Sequence, residues 1–182
     1  MLYIIRHGKT DWNAALKLQG RTDIPLNAEG IRMAEAAHDA VSKIDFDICY
    51  SSPLIRAYDT AKILLANTST PIIKDQRLIE LGFGKYEGIN NTYSNPEYPI
   101  SILFNNPEAY IATEDAESLD MLFERTKNFL DEEIFPKLEL NKNILIVGHG
   151  AMNCALISNI KGYERKDFWK DMTGNCELVR LL

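Results

Sequence analysis

Leu2-Tyr3-Ile4-Ile5-Arg6-His7-Gly8 and Asn143-Ile144-Leu145-Ile146-Val147-Gly148-His149-Gly150 are built alike. Each is a short apolar run broken by a histidine and glycine. The runs are too short for core helices, and their aliphatic, partly β-branched make-up predicts strands. Between them the chain alternates. A helical pattern runs from Asn27, as N-cap, to about Ser42, with Ala34, Ala37 and Val41 at packing positions. Phe46–Tyr50 is a second strand candidate. Ser52-Pro53 then reads as N-cap and first residue of a helix striped by Leu54, Ala57, Ala61, Leu64 and Leu65. Ile72-Ile73 suggests another strand, and Glu177–Leu182 a last one. Leu119, Leu122, Phe123, Thr126, Phe129 and Leu130 fall at spacings of three and four on one helix face.

Strand alternating with helix predicts an α/β fold, a three-layer sandwich with a mainly parallel sheet and helices on both faces. Its 182 residues fit a single domain. Residues 86–116, with Tyr93, Tyr98, Phe104 and Tyr110 among prolines and no clean period, read as an irregular lid-like insertion whose aromatic residues serve packing.

The net charge is −6, with acidic residues scattered. Nucleic acid is therefore not expected as a partner, since backbone phosphates demand clustered Lys and Arg. A small phosphorylated molecule remains open, because a few convergent arginines hold a phosphate whatever the overall charge. No stretch approaches the roughly 20 apolar residues of a membrane span. Cys49, Cys154 and Cys176 are odd in number and far apart, which predicts free thiols and a cytoplasmic location.

Four polar groups each follow a predicted strand within a few residues: Arg6-His7, Arg56, Glu80 and His149. Ligands of open α/β sheets bind outside the carboxyl ends of the strands, so these groups are expected in one crevice. Three of them have a blander reading: His7 as a strand-end histidine, Arg56 as a helix-surface arginine, Glu80 as a surface carboxylate with Glu87 nearby; His149, between two glycines after an apolar strand, is hard to explain as packing. His38 fits a solvent-facing helix position and is assigned no role.

The order of these groups resembles the histidine phosphatase superfamily, the phosphoglycerate mutase-like family. The resemblance rests on Arg6-His7-Gly8 with Thr10 and Asn13, and on Gln19-Gly20-Arg21-Thr22. It continues through Ser51-Ser52-Pro53 with Arg56-Ala57 and Thr60-Ala61, Glu80 with Tyr86-Glu87-Gly88, and Gly148-His149-Gly150. It implies a metal-independent, cofactor-free phosphomonoesterase with His7 as nucleophile and Glu80 as general acid and base. Arg6, Arg56 and His149 complete its catalytic set, and Asn13, Gln19, Gly20 and Gly150 join them in binding the phosphate. Lys9 and Arg21 are expected at the rim, and Lys85 there or in solvent.

The chemistry accounts for the residue types. Guanidinium forks neutralise a phosphate dianion; a neutral imidazole nitrogen attacks phosphorus; a carboxylic acid protonates the departing alkoxide. The sequence departs from the family pattern at Lys9, Asp59, Ala116 and Gly148, none of which removes a reacting group. The family also contains phosphoglycerate mutases, which carry arginines after the acid. None occurs here between Arg77 and Arg125, so phosphatase is favoured over mutase. A catalytically silent phosphate-binding module is the reading from another class.

Overall fold

The computed structural model describes residues 1–113 and 115–182. In chain order its elements are β1 (Leu2–Arg6), α1 (Asp11–Ala14), α2 (Ala28–Val41), β2 (Ile48–Ser51), α3 (Ile55–Leu64), β3 (Ile72–Lys74), α4 (Ser101–Asn105), α5 (Leu119–Phe129), α6 (Phe135–Glu139), β4 (Ile144–Gly148), α7 (Gly150–Lys161) and β5 (Leu178–Arg180). The strand order is β3-β2-β4-β1-β5. β1 and β2 flank β4 in parallel, β3 joins β2 in parallel, and only β5 runs antiparallel, against β1.

The sheet divides the core. Ile5, Cys49, Leu145 and Val147 face Val41 of α2 and Ala57, Ala61 and Leu64 of α3. Leu2, Ile4, Tyr50, Ile144 and Ile146 face the other way, among Leu119, Leu122 and Phe129 of α5 and Cys154 and Ala155 of α7. Strand alternation sorts neighbours to opposite faces. Covered on both sides, β4 is buried at all five positions, which is why it reads as an unbroken apolar run. The α/β sandwich with helices on both faces is thus what the chain forms.

Two expectations need correction, and one helix runs on beyond its predicted face. Ser52 does not cap α3: Leu54 occupies the cap position without a side-chain bond, and the first helical residue is Ile55, whose N–H donates to Asp23 Oδ1 at 2.8 Å. The helix whose face runs from Leu119 to Leu130 widens into a π turn at Leu130–Ile134 and continues as α6. Pro136 follows that turn and lacks the N–H that would continue the i→i−4 ladder, so the wider turn absorbs the mismatch. His38 is half-buried, its Nδ1 2.9 Å from the Leu64 carbonyl, rather than free in solvent.

Residues 86–113 are irregular apart from α4 and a short 3₁₀ turn at Pro107–Ala109. Tyr110 is buried and Tyr98 packs edge-on to Tyr86. Tyr93 and Phe104 instead line a cavity, described below. No helix among the described residues is long and apolar enough to cross a membrane.

Candidate active site

Arg6 ends β1 and pairs in register with Gly148, and the His7 N–H donates to the Gly148 carbonyl at 3.0 Å. The carboxyl ends of β1 and β4 therefore bring Arg6, His7 and His149 together, as the parallel register requires. Past His7 the chain crosses the first turn of α2 so closely that a Cβ on Gly8 or on Gly30 would collide with the other segment's backbone. Gly8 N–H donates to Thr60 Oγ1 at 3.0 Å, and that hydroxyl donates to the Arg56 carbonyl at 2.7 Å, tying the loop to α3.

His7 Nδ1 lies 2.6 Å from the Gly8 carbonyl. A carbonyl only accepts, so Nδ1 carries the proton and Nε2 presents a lone pair. The Arg56 Nε–H donates toward that lone pair at 3.3 Å. Arg56 is fully buried, and its remaining nitrogens are fixed by the carbonyls of Gly20 (2.7 Å) and Thr22 (2.9 Å). Burial lowers its pKa to about 10, which leaves it charged at neutral pH. Arg6 is also pushed down by burial, while Glu80 opposes that shift; its Nε is buried with no partner among the described residues.

His149 caps α7, and its ring stands edge-on to His7 with centroids 5.1 Å apart. Its Nε2 is 2.7 Å from Ser52 Oγ, and Nδ1 is buried without a partner among the described residues. Ser52, read from the sequence as a helix cap, is therefore the side chain that holds His149. The signal that could have found it was the hydroxyl beside Pro53 directly after a strand end.

Glu80 follows the 3₁₀ turn Gln76–Leu78 and is almost fully buried. Its Oε1 accepts the N–H groups of Leu81 and Met152, both at 2.9 Å, and its Oε2 that of Ala151 at 3.2 Å. The carboxylate is thus seated on the first turn of α7, where unpaired N–H groups and the helix dipole favour an acceptor. Its backbone is clasped as well. Arg125 Nη2 and Arg21 Nε reach the Glu80 carbonyl at 3.3 and 3.4 Å, and both arginines pair with buried Glu117.

The other expected residues divide. Asn13 lines the cavity, its Oδ1 held by the Thr10 N–H in a capping box, so Nδ2 is the donor it has left. Gln19, Gly20, Gly150 and Lys9 also line it, with Lys9 Nζ 2.6 Å from Glu29. Arg21 and Lys85 do not. Nor does Glu87, whose oxygens accept from the backbones of Arg21, Thr22 and Phe83, holding the loop that fixes Arg56. The cavity measures about 430 Å³; the larger hollow between α2 and α3, about 640 Å³, holds none of these groups. Among the described residues no cluster of three or more His, Cys, Asp or Glu side chains is placed to hold a metal ion.

The model of the histidine phosphatase superfamily (branch 1) matches residues 2–182. The chain belongs to that family. It is 37% identical over 161 residues to the uncharacterized phosphatase PhoE of Bacillus subtilis, covering 87% of this chain and 76% of the relative. It is 31% identical over 170 residues to a 2,3-bisphosphoglycerate-dependent phosphoglycerate mutase of Cytophaga hutchinsonii, covering 92% and 80%. The alpha-ribazole phosphatase of Shigella flexneri superposes with a TM-score of 0.84 at 26% identity, covering 97% of this chain and 87% of that one.

The electrostatics of this histidine phosphatase superfamily member give a stability prediction. His7 and His149 are both held well below the ordinary 6.5, first by burial and then by the facing Arg56. Below that pH the unfolded chain binds protons that the folded chain refuses, so acid favours unfolding. The stabilisation is complete above pH 6.5 and is lost as the pH falls, with a slope approaching about 1.4 kcal/mol per pH unit for each histidine. Denaturant midpoints should therefore drop between about pH 7 and about pH 5. A flat profile there would mean that the rings take up protons inside the fold.

Proposed function

We propose that this chain is a phosphomonoesterase acting through a phosphohistidine on His7. The observation that carries the reading is the unprotonated Nε2 of His7 facing the Arg56 Nε–H: a neutral nucleophile set against a fixed cation in one cavity. Arg6, Arg56, His149 and Asn13 hold the phosphoryl oxygens, with Gln19, Gly20 and the Gly150 N–H shaping that end of the cavity. His7 Nε2 forms a bond to phosphorus as the ester P–O bond breaks, and Glu80 gives its proton to the departing oxygen. Water then attacks phosphorus, Glu80 takes its proton, and the N–P bond breaks. The positive charge that a metal would supply comes from the two arginines. The relatives carry both phosphatase and mutase names, and phosphatase is preferred because residues 78–124 contain no arginine to hold a second acidic group. The three unpaired cysteines suit a reducing compartment, and we place the enzyme in the cytoplasm.

The test is phosphate release from a panel of phosphomonoesters with excess chelator present, with 3-phosphoglycerate and catalytic bisphosphoglycerate assayed in parallel. Chelator-resistant hydrolysis, blocked by vanadate as a mimic of five-coordinate phosphorus, is the expected result. Positional transfer on phosphoglycerate without net release would make the protein a mutase. Absence of both activities would leave a binding module.

A further inference from the structure

Beyond its charged floor, the cavity is walled by Leu16, Phe83, Tyr93, Phe104, Trp169 and Met172. Phe104 and Trp169 are stacked, with centroids 5.2 Å apart and planes 16° from parallel, and Tyr93 meets Phe104 edge-on at 6.0 Å. Trp169 is locked in place by its Nε1–H, which donates to the Leu103 carbonyl at 2.8 Å. Leu16 and Met172 stand 51% and 53% exposed at the mouth, although each carries a large apolar side chain. Leu16 is also held at φ +54°, a left-handed conformation that a leucine adopts only at a cost of roughly 1–2 kcal/mol. That conformation closes α1, the Lys17 N–H donating to the Trp12 carbonyl at 2.9 Å, and the leucine kept there lies at the cavity mouth. Charge on the wall is sparse. Lys9 is paired to Glu29 at 2.6 Å and Lys17 lies over the Trp12 ring.

We propose that this aromatic wall is a subsite for the alcohol portion of the substrate, and that the preferred esters carry an aromatic or extended apolar alcohol rather than a phosphorylated hydroxy or amino acid. The proposal rests on the phosphomonoesterase reading above. Phosphate seats the ester on the arginine floor, and the wall removes the alcohol's apolar face from water. Burying a ring face of about 100 Å² corresponds to roughly a 70-fold gain in kcat/KM at about 25 cal/mol per Å².

The experiment compares 2-phenylethyl phosphate with ethyl phosphate and phosphoserine. All three release primary alcohols, so the demand for proton donation is similar. Wild-type protein should favour the phenylethyl ester by at least about tenfold, a conservative share of that gain. Phe104→Ala should remove most of that preference while changing ethyl phosphate turnover and vanadate inhibition by no more than about twofold. Leu16→Asn guards against misfolding of the first variant, because asparagine tolerates the left-handed conformation. It should keep or raise thermal stability and still lower the phenylethyl preference. Equal or better turnover of ethyl phosphate or phosphoserine by the wild type overturns the subsite, as does a preference that both variants retain. No turnover of any ester and no labelled phosphoenzyme overturns the phosphomonoesterase reading itself, and the subsite with it.

Discussion

His7→Ala should abolish formation of the phosphoenzyme and lower turnover on the order of 10⁴–10⁶-fold, the scale seen when a covalent nucleophile is deleted. His7 lines the cavity, and its Nδ1 contact with the Gly8 carbonyl leaves Nε2 deprotonated. Arg56 and burial keep the ring neutral well below its ordinary pKa, so the nucleophile stays competent in mild acid. Rapid quench into alkaline detergent after mixing with a ³²P-labelled monoester, followed by gel separation at neutral to alkaline pH, should show label on the wild type. That label should be lost in acid and survive base, as a phosphoramidate does. Because alanine also vacates a buried position, the variant's fold is checked by circular dichroism and by vanadate binding. A folded variant that labels normally would remove His7 from the role.

Glu80→Gln carries the second large effect, and it should depend on the leaving group. An alkyl alcohol leaves badly as an alkoxide, and a general acid is worth about 10²–10⁴-fold there. A nitrophenolate leaves with its charge and needs little help. The defect in phosphoenzyme formation should be large for alkyl phosphates and much smaller for p-nitrophenyl phosphate. Glutamine is also not a silent replacement here. Its carbonyl can keep the N–H groups of Leu81 and Met152, but its NH₂ would then face the Ala151 N–H, donor against donor. A stability loss of about 1–3 kcal/mol should accompany the kinetic change. Equal defects for the two esters would assign Glu80 to positioning instead. Glu87, the neighbour that the sequence leaves open, would not inherit the role, since its oxygens are spent on the backbone of residues 21–22 and 83.

The frame and the floor of the cavity were legible in the sequence, because both follow from local pattern plus parallel topology. Apolar runs ended by Arg6-His7 and Gly148-His149 became adjacent strands, and the register of Arg6 with Gly148 did the rest. What stayed hidden depended on partners remote in the chain. Ser52 looks like a helix cap in a one-dimensional reading, and only its approach to His149, 97 residues away, reveals its use. The π turn at Leu130–Ile134 has no apolar spacing of its own. Tyr93 and Phe104 read as packing because an aperiodic stretch does not say which face meets a cavity. Trp169, which completes that wall, comes from a turn more than sixty residues further on.

The cavity floor is drawn from strand ends and the wall from the irregular stretch around Tyr93 and Phe104 and the turn at Trp169 and Met172. Among the described residues the wall side chains take no part in the hydrogen bonds that fix His7 and Arg56. Selection can therefore retune which ester is accepted at little risk to the reaction. Overall sequence identity between two such chains chiefly measures their shared frame, so descendants of one ancestor can diverge in diet while keeping the same teeth.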